Sequence, residues 1–187
     1  SIAATSVMPA RCNRAISSSR CTPVTSGVWS TWKSVTGFGL SLVMFDIDHF
    51  KSFNDNYGHQ VGDQVIQLVS KTLQDKSRNS DFPARYGGEE FCVVLPNLHL
   101  DKAAQIAERI RRAIEKKSCS GINITVSLGV SSLDAKINKP DELIDQADKA
   151  LYAAKKSGRN RVVTWGKDTN SLAETDGGAE IQEQDSA

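Results

Sequence analysis

The longest apolar stretch in this chain, Leu40-Ser41-Leu42-Val43-Met44-Phe45, runs directly into Asp46-Ile47-Asp48. Six such residues have the length of a strand, and an unbroken apolar run of that length reads as a strand buried on both faces. Such a strand needs cover above and below. Asp46 and Asp48 stand two apart, so both carboxylates emerge on one face as the strand runs out. No stretch approaches the roughly 18 consecutive apolar residues of a membrane span, so no span is expected.

The segments that follow supply the cover. Val61, Val65, Leu68, Val69, Thr72 and Leu73 recur at helical spacing and predict an amphipathic helix over about 61–77. Arg85 through Pro96 reads as a β-hairpin turning at Gly87-Gly88. Ala103, Ile106, Ala107, Ile110 and Ile114 predict a helix over about 101–117, and the alternation of Ile124, Val126, Leu128 and Val130 predicts a strand over 122–133. Pro140 suits the first turn of a helix whose apolar face is Leu143, Ala147, Leu151 and Ala154. Arg161–Trp165 is a last short strand. The order strand, helix, hairpin, helix, strand, helix, strand predicts an α/β sandwich with the sheet in the middle and the hairpin turn beside the end of the first strand.

Charge divides the chain. Of 187 residues, 23 are Lys or Arg and 22 are Asp or Glu, for a net charge of +1, which argues against a strongly basic nucleic-acid binder. Residues 1–45 hold four basic residues (Arg11, Arg14, Arg20, Lys33) and no acid; residues 46–187 hold the other 19 basic residues and all 22 acids, a net of −3. The 39% hydrophobic content is enough for a core. Cys12, Cys21, Cys92 and Cys119 show no zinc-ligand spacing and are too few for a disulfide scaffold, so a reducing, cytoplasmic setting is expected. Residues 166–187 carry six acids, one Lys and hardly any apolar residue, the composition of a disordered tail.

Three groups of residues carry chemistry. Asp46 and Asp48 form the first. Glu89 and Glu90, just after Gly87-Gly88, form the second; a Gly-Gly turn lets a large ligand approach the backbone. Carboxylates converging from two strand ends suit Mg²⁺, which takes hard oxygen ligands and leaves room for phosphate oxygens. Lys155 and Arg159, at i and i+4, and Lys51 form the third, and cations beside such a site suit a nucleoside triphosphate. Taken singly, turn acids are most often solvated, and bases at a helix C-terminus suit its dipole.

Together these residues resemble a GGDEF domain. The likeness lies in Phe45-Asp46-Ile47-Asp48-His49-Phe50-Lys51, Asn54-Asp55-Asn56-Tyr57-Gly58-His59, Gly62-Asp63, Arg85-Tyr86-Gly87-Gly88-Glu89-Glu90-Phe91, Ser127-Leu128-Gly129-Val130, and Ala147 through Asn160. It runs in order and spacing over about residues 38–165. The resemblance implies a palm-like fold, as in nucleotide cyclases and polymerases, with a mostly antiparallel central sheet flanked by helices. It also implies a diguanylate cyclase that condenses two GTP molecules to cyclic di-GMP, releasing pyrophosphate. By position, Asp46, the Ile47 carbonyl and Glu89 would hold Mg²⁺, with Mn²⁺ as an alternative ion. Glu89, where the family name has Asp, would help deprotonate the attacking 3′-hydroxyl. Asn54 and Asp63 would hydrogen-bond guanine, and Lys51, Lys155 and Arg159 would bind phosphates. Each domain would bind one GTP, so catalysis would require a homodimer. Arg78-Asn79-Ser80-Asp81 stands in the place of the family's product-inhibition site, and Arg109 in that of a second inhibitory arginine. His49 and His59 need no catalytic role.

Two other readings stand beside the cyclase: a receptor that holds GTP or cyclic di-GMP without turnover, and a nucleotide cyclase or polymerase relative built on the same palm. The signature acids and Lys51 favour an enzyme over the receptor; Asn54, Asp63 and the Arg-x-x-Asp argue against the more distant relative. Biofilm and motility control is the implied pathway. Residues 1–37 are Ser-, Thr- and Arg-rich, include Trp29 and Trp32, and lack the Asp-x-Leu-Thr-Gly-Leu-x-Asn-Arg-Arg helix that normally precedes the first strand; Cys12-Asn13-Arg14 is a faint echo of it. A frame slip upstream of about residue 37 would produce such text, as would an unrelated fusion; a transit peptide is the less favoured reading.

Overall fold

The computed structural model describes residues 39–119, 121–133 and 140–169. The apolar run forms strand β1 (Leu40–Ile47), every residue of which is buried. It lies at the centre of a five-stranded sheet ordered β2-β3-β1-β6-β7, with β2 spanning Phe82–Arg85, β3 Glu90–Pro96, β6 Val126–Ser132 and β7 Val162–Thr164. β1 pairs antiparallel with β3 and β6, β2 pairs antiparallel with β3, and only β6 and β7 run parallel. The mostly antiparallel sheet expected from the sequence is present.

The alternation of β1 side chains builds a core on each face of the sheet. Val43, Phe45 and Ile47 join a large cluster with Val65, Val69 and Leu73 of helix α2 (His59–Lys76) and Ala103, Ile106, Ala107, Ile110 and Ile114 of helix α3 (Leu100–Glu115). Leu40, Leu42 and Met44 face the other way, against Leu143, Ala147 and Leu151 of helix α4 (Pro140–Lys156). Phe45 and Phe91 sit opposite each other on β1 and β3, their rings stacked with centroids 5.2 Å apart; such a pair contributes about 0.5–1.5 kcal/mol beyond burial. At Gly129 on β6 the sheet and α4 meet without an intervening side chain: a Cβ there would collide with the backbone of Ala147 and Leu151.

Two elements differ from expectation. Helix α1 (Phe50–Tyr57) precedes α2, and Gly58, at φ 82°, separates them. Its Ser, Asn and Asp residues are weak helix formers, yet Phe50, Phe53 and Tyr57 fall on one helical face, and the Phe53 and Tyr57 rings lie 5.0 Å apart. The single strand expected over 122–133 is divided. Ile122–Asn123 (β5) folds back on Ser118–Cys119 (β4), whereas the Thr125 carbonyl accepts from the Asp48 N–H at 3.0 Å before β6 begins. Cys92 and Cys119 are buried and are not joined in a disulfide. Residues 1–38 and 170–187, with Cys12, Cys21, Trp29, Trp32 and most of the acidic tail, lie outside the described residues.

Candidate active site

The β1–β3 register sets Asp46 directly opposite Glu90, and the Ile47 N–H reaches the Glu89 carbonyl at 3.4 Å. Asp46 and Glu90 therefore stand side by side where two neighbouring strands meet the surface, with Glu89 the next residue along the chain. Asp46 is only 8% exposed. Burial pushes its carboxyl above the ordinary aspartate range; a hydrogen bond and the charge of Lys155 oppose the rise, and the charges of Glu89 and Glu90 add to it. The Lys155 Nζ lies 3.0 Å from the Asp46 carboxylate. A cavity of about 420 Å³ opens beside them, between Glu90 and the α4 residues Asp148, Tyr152 and Lys155.

The Gly87-Gly88 turn links β2 to β3. Neither glycine takes a positive φ. A Cβ on Gly87 would meet Glu90 Oε2 at 2.8 Å, whereas one on Gly88 would meet open space. Arg85 clamps the turn, its Nε donating to the Gly87 and Gly88 carbonyls at 3.1 and 3.0 Å and its Nη2 to Gly88 at 2.6 Å. Sequence reasoning gave Arg85 no such part.

Asp48 does not share the task of Asp46. Its carboxylate accepts from Thr125 Oγ1 at 2.8 Å, Ser127 Oγ at 2.6 Å and the Asn160 N–H at 3.1 Å. It ties the end of β1 to β6 and to the turn after α4. The i, i+4 relation of Lys155 and Arg159 is also lost: α4 ends at Lys156, Gly158 has φ 114°, and Arg159 and Asn160 are left-handed at φ 60° and 47°.

Asn54 and Asp63 lie on neighbouring helices, Asn54 on α1 and Asp63 in the early part of α2, with Lys51 exposed in the first turn of α1. Asn54 Oδ1 is buried and has no hydrogen-bond partner among the described residues. It fits against Gly62, where any larger side chain would strike it. An orphaned buried acceptor is costly.

The Arg78-x-x-Asp81 pattern closes on itself. Asp81, whose side chain is fully buried, accepts from the Arg78 N–H at 2.8 Å, from Nε at 3.0 Å and from Nη2 at 2.7 Å, while the Arg78 side chain remains 42% exposed. Arg109 Nη2 donates to the Lys76 carbonyl at 2.9 Å, so α3 delivers this second arginine to the same end of α2.

Beside Arg109, Glu108 accepts from Arg111 at 2.8 Å and from Arg112 at 2.6 Å. The Arg111 hydrogen bond, ahead of that from Arg112, holds the Glu108 carboxyl below the ordinary glutamate range. A carboxyl lowered in the fold contributes stability above its unfolded pKa and loses it as the pH falls through the folded value. Thermal melts should therefore show the wild type losing Tm on acidification through and below the ordinary glutamate range, and Glu108→Gln showing a flatter acid limb. Equal acid slopes in the two proteins would remove Glu108 as a source of that dependence.

Among the described residues no three His, Cys, Asp or Glu side chains stand together as a metal cage.

The family model described as "Diguanylate cyclase, GGDEF domain" matches residues 26–161. The chain belongs to this family. Diguanylate cyclase A of Treponema denticola is 48% identical over 127 residues, covering 66% of this chain and 34% of that protein. The response regulator PleD of Caulobacter vibrioides is 41% identical over 133 residues, covering 68% of this chain and 29% of that protein. The chain thus spans about a third of the length of these curated relatives. The active GGEEF domain of a diguanylate cyclase from Vibrio cholerae superposes with a TM-score of 0.69 at 35% identity, covering 73% of this chain and 88% of that one. The GGDEF domain of DgcB from Caulobacter crescentus, in complex with c-di-GMP, superposes with a TM-score of 0.67 at 36% identity, covering 73% and 82%. In this GGDEF domain, Asp46, Glu90 and Lys155 come together, Asn54 approaches the start of α2 that carries Asp63, and Arg78, Asp81 and Arg109 gather at the far end of that helix.

Proposed function

We propose that this GGDEF domain is a diguanylate cyclase, condensing two GTP molecules to cyclic di-GMP with release of two pyrophosphates. The observation that carries this reading is Asp46 set opposite Glu90 across the β1–β3 pair, beside Glu89, with Lys155 at 3.0 Å from Asp46. Asp46, the Ile47 carbonyl and Glu89 would hold Mg²⁺. The bound ion supplies positive charge against the triphosphate and eases ionisation of a hydroxyl.

The protein's own groups do the rest. Glu89 takes part in removing the proton of the attacking 3′-hydroxyl. Lys51, Lys155 and Arg159 offset phosphate charge, and positioning supplies much of the remaining acceleration. Asn54, with its unpartnered Oδ1, and Asp63 accept from guanine N–H groups that adenine does not offer in that arrangement. One domain holds one GTP, so two copies must meet face to face to join two substrates. A cytoplasmic setting suits a GTP-consuming enzyme, and no helix among the described residues is long and apolar enough to cross a membrane. The deciding experiment incubates the purified protein with GTP and Mg²⁺ and assays for cyclic di-GMP. A demonstrably dimeric protein that binds GTP and makes no product would be a receptor instead.

Arg78, Asp81 and Arg109 form the proposed inhibitory product site, since an arginine fork matches guanine O6 and N7. Arg78→Ala is expected to weaken cyclic di-GMP binding by about 1–3 kcal/mol. It also lowers stability, because the buried Asp81 carboxylate loses the guanidinium and keeps only the backbone N–H of residue 78. Arg109→Ala removes only a surface bond to Lys76 and should relieve inhibition without that loss. Unchanged product inhibition in both variants would refute the site.

A further inference from the structure

We propose that Asn160 is a positioning residue for the triphosphate, clamping the turn that carries Arg159 between the end of β1 and helix α3. This rests on the reading of Lys155 and Arg159 as phosphate ligands. Two consecutive left-handed residues, Arg159 at φ 60° and Asn160 at φ 47°, are an unusual backbone state. Asn tolerates it; Arg does so rarely. Such a turn persists only where its surroundings over-determine it.

Asn160 supplies that determination through three separate groups. Its N–H donates to Asp48 at 3.1 Å. Its Oδ1 accepts from Arg111 Nη1 at 2.6 Å, and its Nδ2 donates to Glu115 Oε1 at 2.6 Å. Arg111 is itself held by Glu108 at 2.8 Å and Glu115 at 3.0 Å and is only 11% exposed. The anchors belong to two layers, the sheet and a helix. Asp48 is two residues from Asp46 on β1, whereas Arg111 and Glu115 belong to α3, on the face opposite α4. The turn after α4 is thus bonded at Asn160 both to the end of β1 and to α3, which ties the neighbouring Arg159 to the strand that carries Asp46. An ordinary surface turn would not draw in a nearly buried arginine from the opposite layer.

The test compares two ligands on the full chain with Mg²⁺ present: the non-reacting analogue α,β-methylene-GTP, and guanosine, which has no phosphate. Asn160→Gly keeps the left-handed backbone accessible and removes both side-chain bonds. It is expected to weaken the analogue about tenfold, the scale of losing charge-assisted hydrogen bonds, while guanosine affinity and Tm stay close to wild type. Glu115→Ala, an exposed change, should weaken the analogue less but in the same selective way. Equal loss of both ligands, or no loss of either, overturns the assignment by showing a merely structural turn or an idle one. If Asn160→Gly does not fold, Glu115→Ala decides by the same comparison. Failure of the wild type to bind either ligand would instead overturn the cyclase reading, and this inference with it.

Discussion

Asp46→Asn is expected to lower cyclic di-GMP production about 10²–10³-fold, the usual scale for deleting one preorganised electrostatic group, while leaving the melting temperature unchanged or higher. The two effects have one cause. Burial raises the Asp46 carboxyl, with Glu89 and Glu90 adding to it and Lys155 only partly offsetting it. A carboxyl whose folded pKa is raised favours the protonated fold, so the metal-free protein gains stability as pH falls through that value and forgoes it at neutral pH. Asparagine imitates the protonated form in shape and lacks the charge. It removes the cost of the buried carboxylate and, with it, the ligand a cation needs. Product formation and thermal melting of both proteins without added metal check this. A variant with near wild-type turnover would remove Asp46 from the catalytic machinery, and one with a much lower Tm would show the Lys155 ion pair to be structural.

Gly129→Ala should destabilise the domain by about 3 kcal/mol, the upper part of the usual range for overpacking. The reason lies in what the new methyl would meet. The nearest atoms are the Ala147 carbonyl oxygen and the Leu151 N and Cα, all helix backbone. A side chain could rotate away; a helix must move as a body. Displacing α4 opens its contacts with Leu40, Leu42 and Met44 and draws Lys155 off Asp46. At this chain length a loss of that size lowers Tm by roughly 6–12 °C, measurable by thermal or urea denaturation. A change within about 0.5 kcal/mol, as at an indifferent surface position, would show that α4 adjusts freely over β6.

Much of this was legible in the sequence wherever a period was long and one-sided. β1, α2, α3, α4 and the hairpin strand β3 all announce themselves through apolar residues that tertiary packing then buries. Helix α1 was not legible, because its polar residues disfavour a helix and only three aromatics mark its face. The break before β6 was hidden because Ile122 and Ile124 continue the alternation; it is the bond between Asp48 and the Thr125 carbonyl that interrupts it. The same bias operated at the site. Asp46 and Glu90 were visible as acids at strand ends, and their meeting follows from the register of two adjacent strands. Asp48 looked equivalent to Asp46 from spacing alone, and only folding brings Thr125, Ser127 and Asn160 to its carboxylate. Lys155 and Arg159 suggested one helix face, but Gly158 lies between them, and that glycine was the available signal that the helix would end.

The place of β1 between β3 and β6 also governs how the chain can be made. Ser41 is hydrogen-bonded to Ser132, 91 residues later, so one long edge of the most apolar strand has no partner until most of the domain has left the ribosome. Pairings between such distant segments form slowly, and bare apolar strand edges are where newly made chains associate wrongly. During synthesis, the strand that delivers Asp46 to the site is therefore the domain's most vulnerable segment, and conditions that slow the emergence of β6 should lower the yield of folded protein before they touch its chemistry.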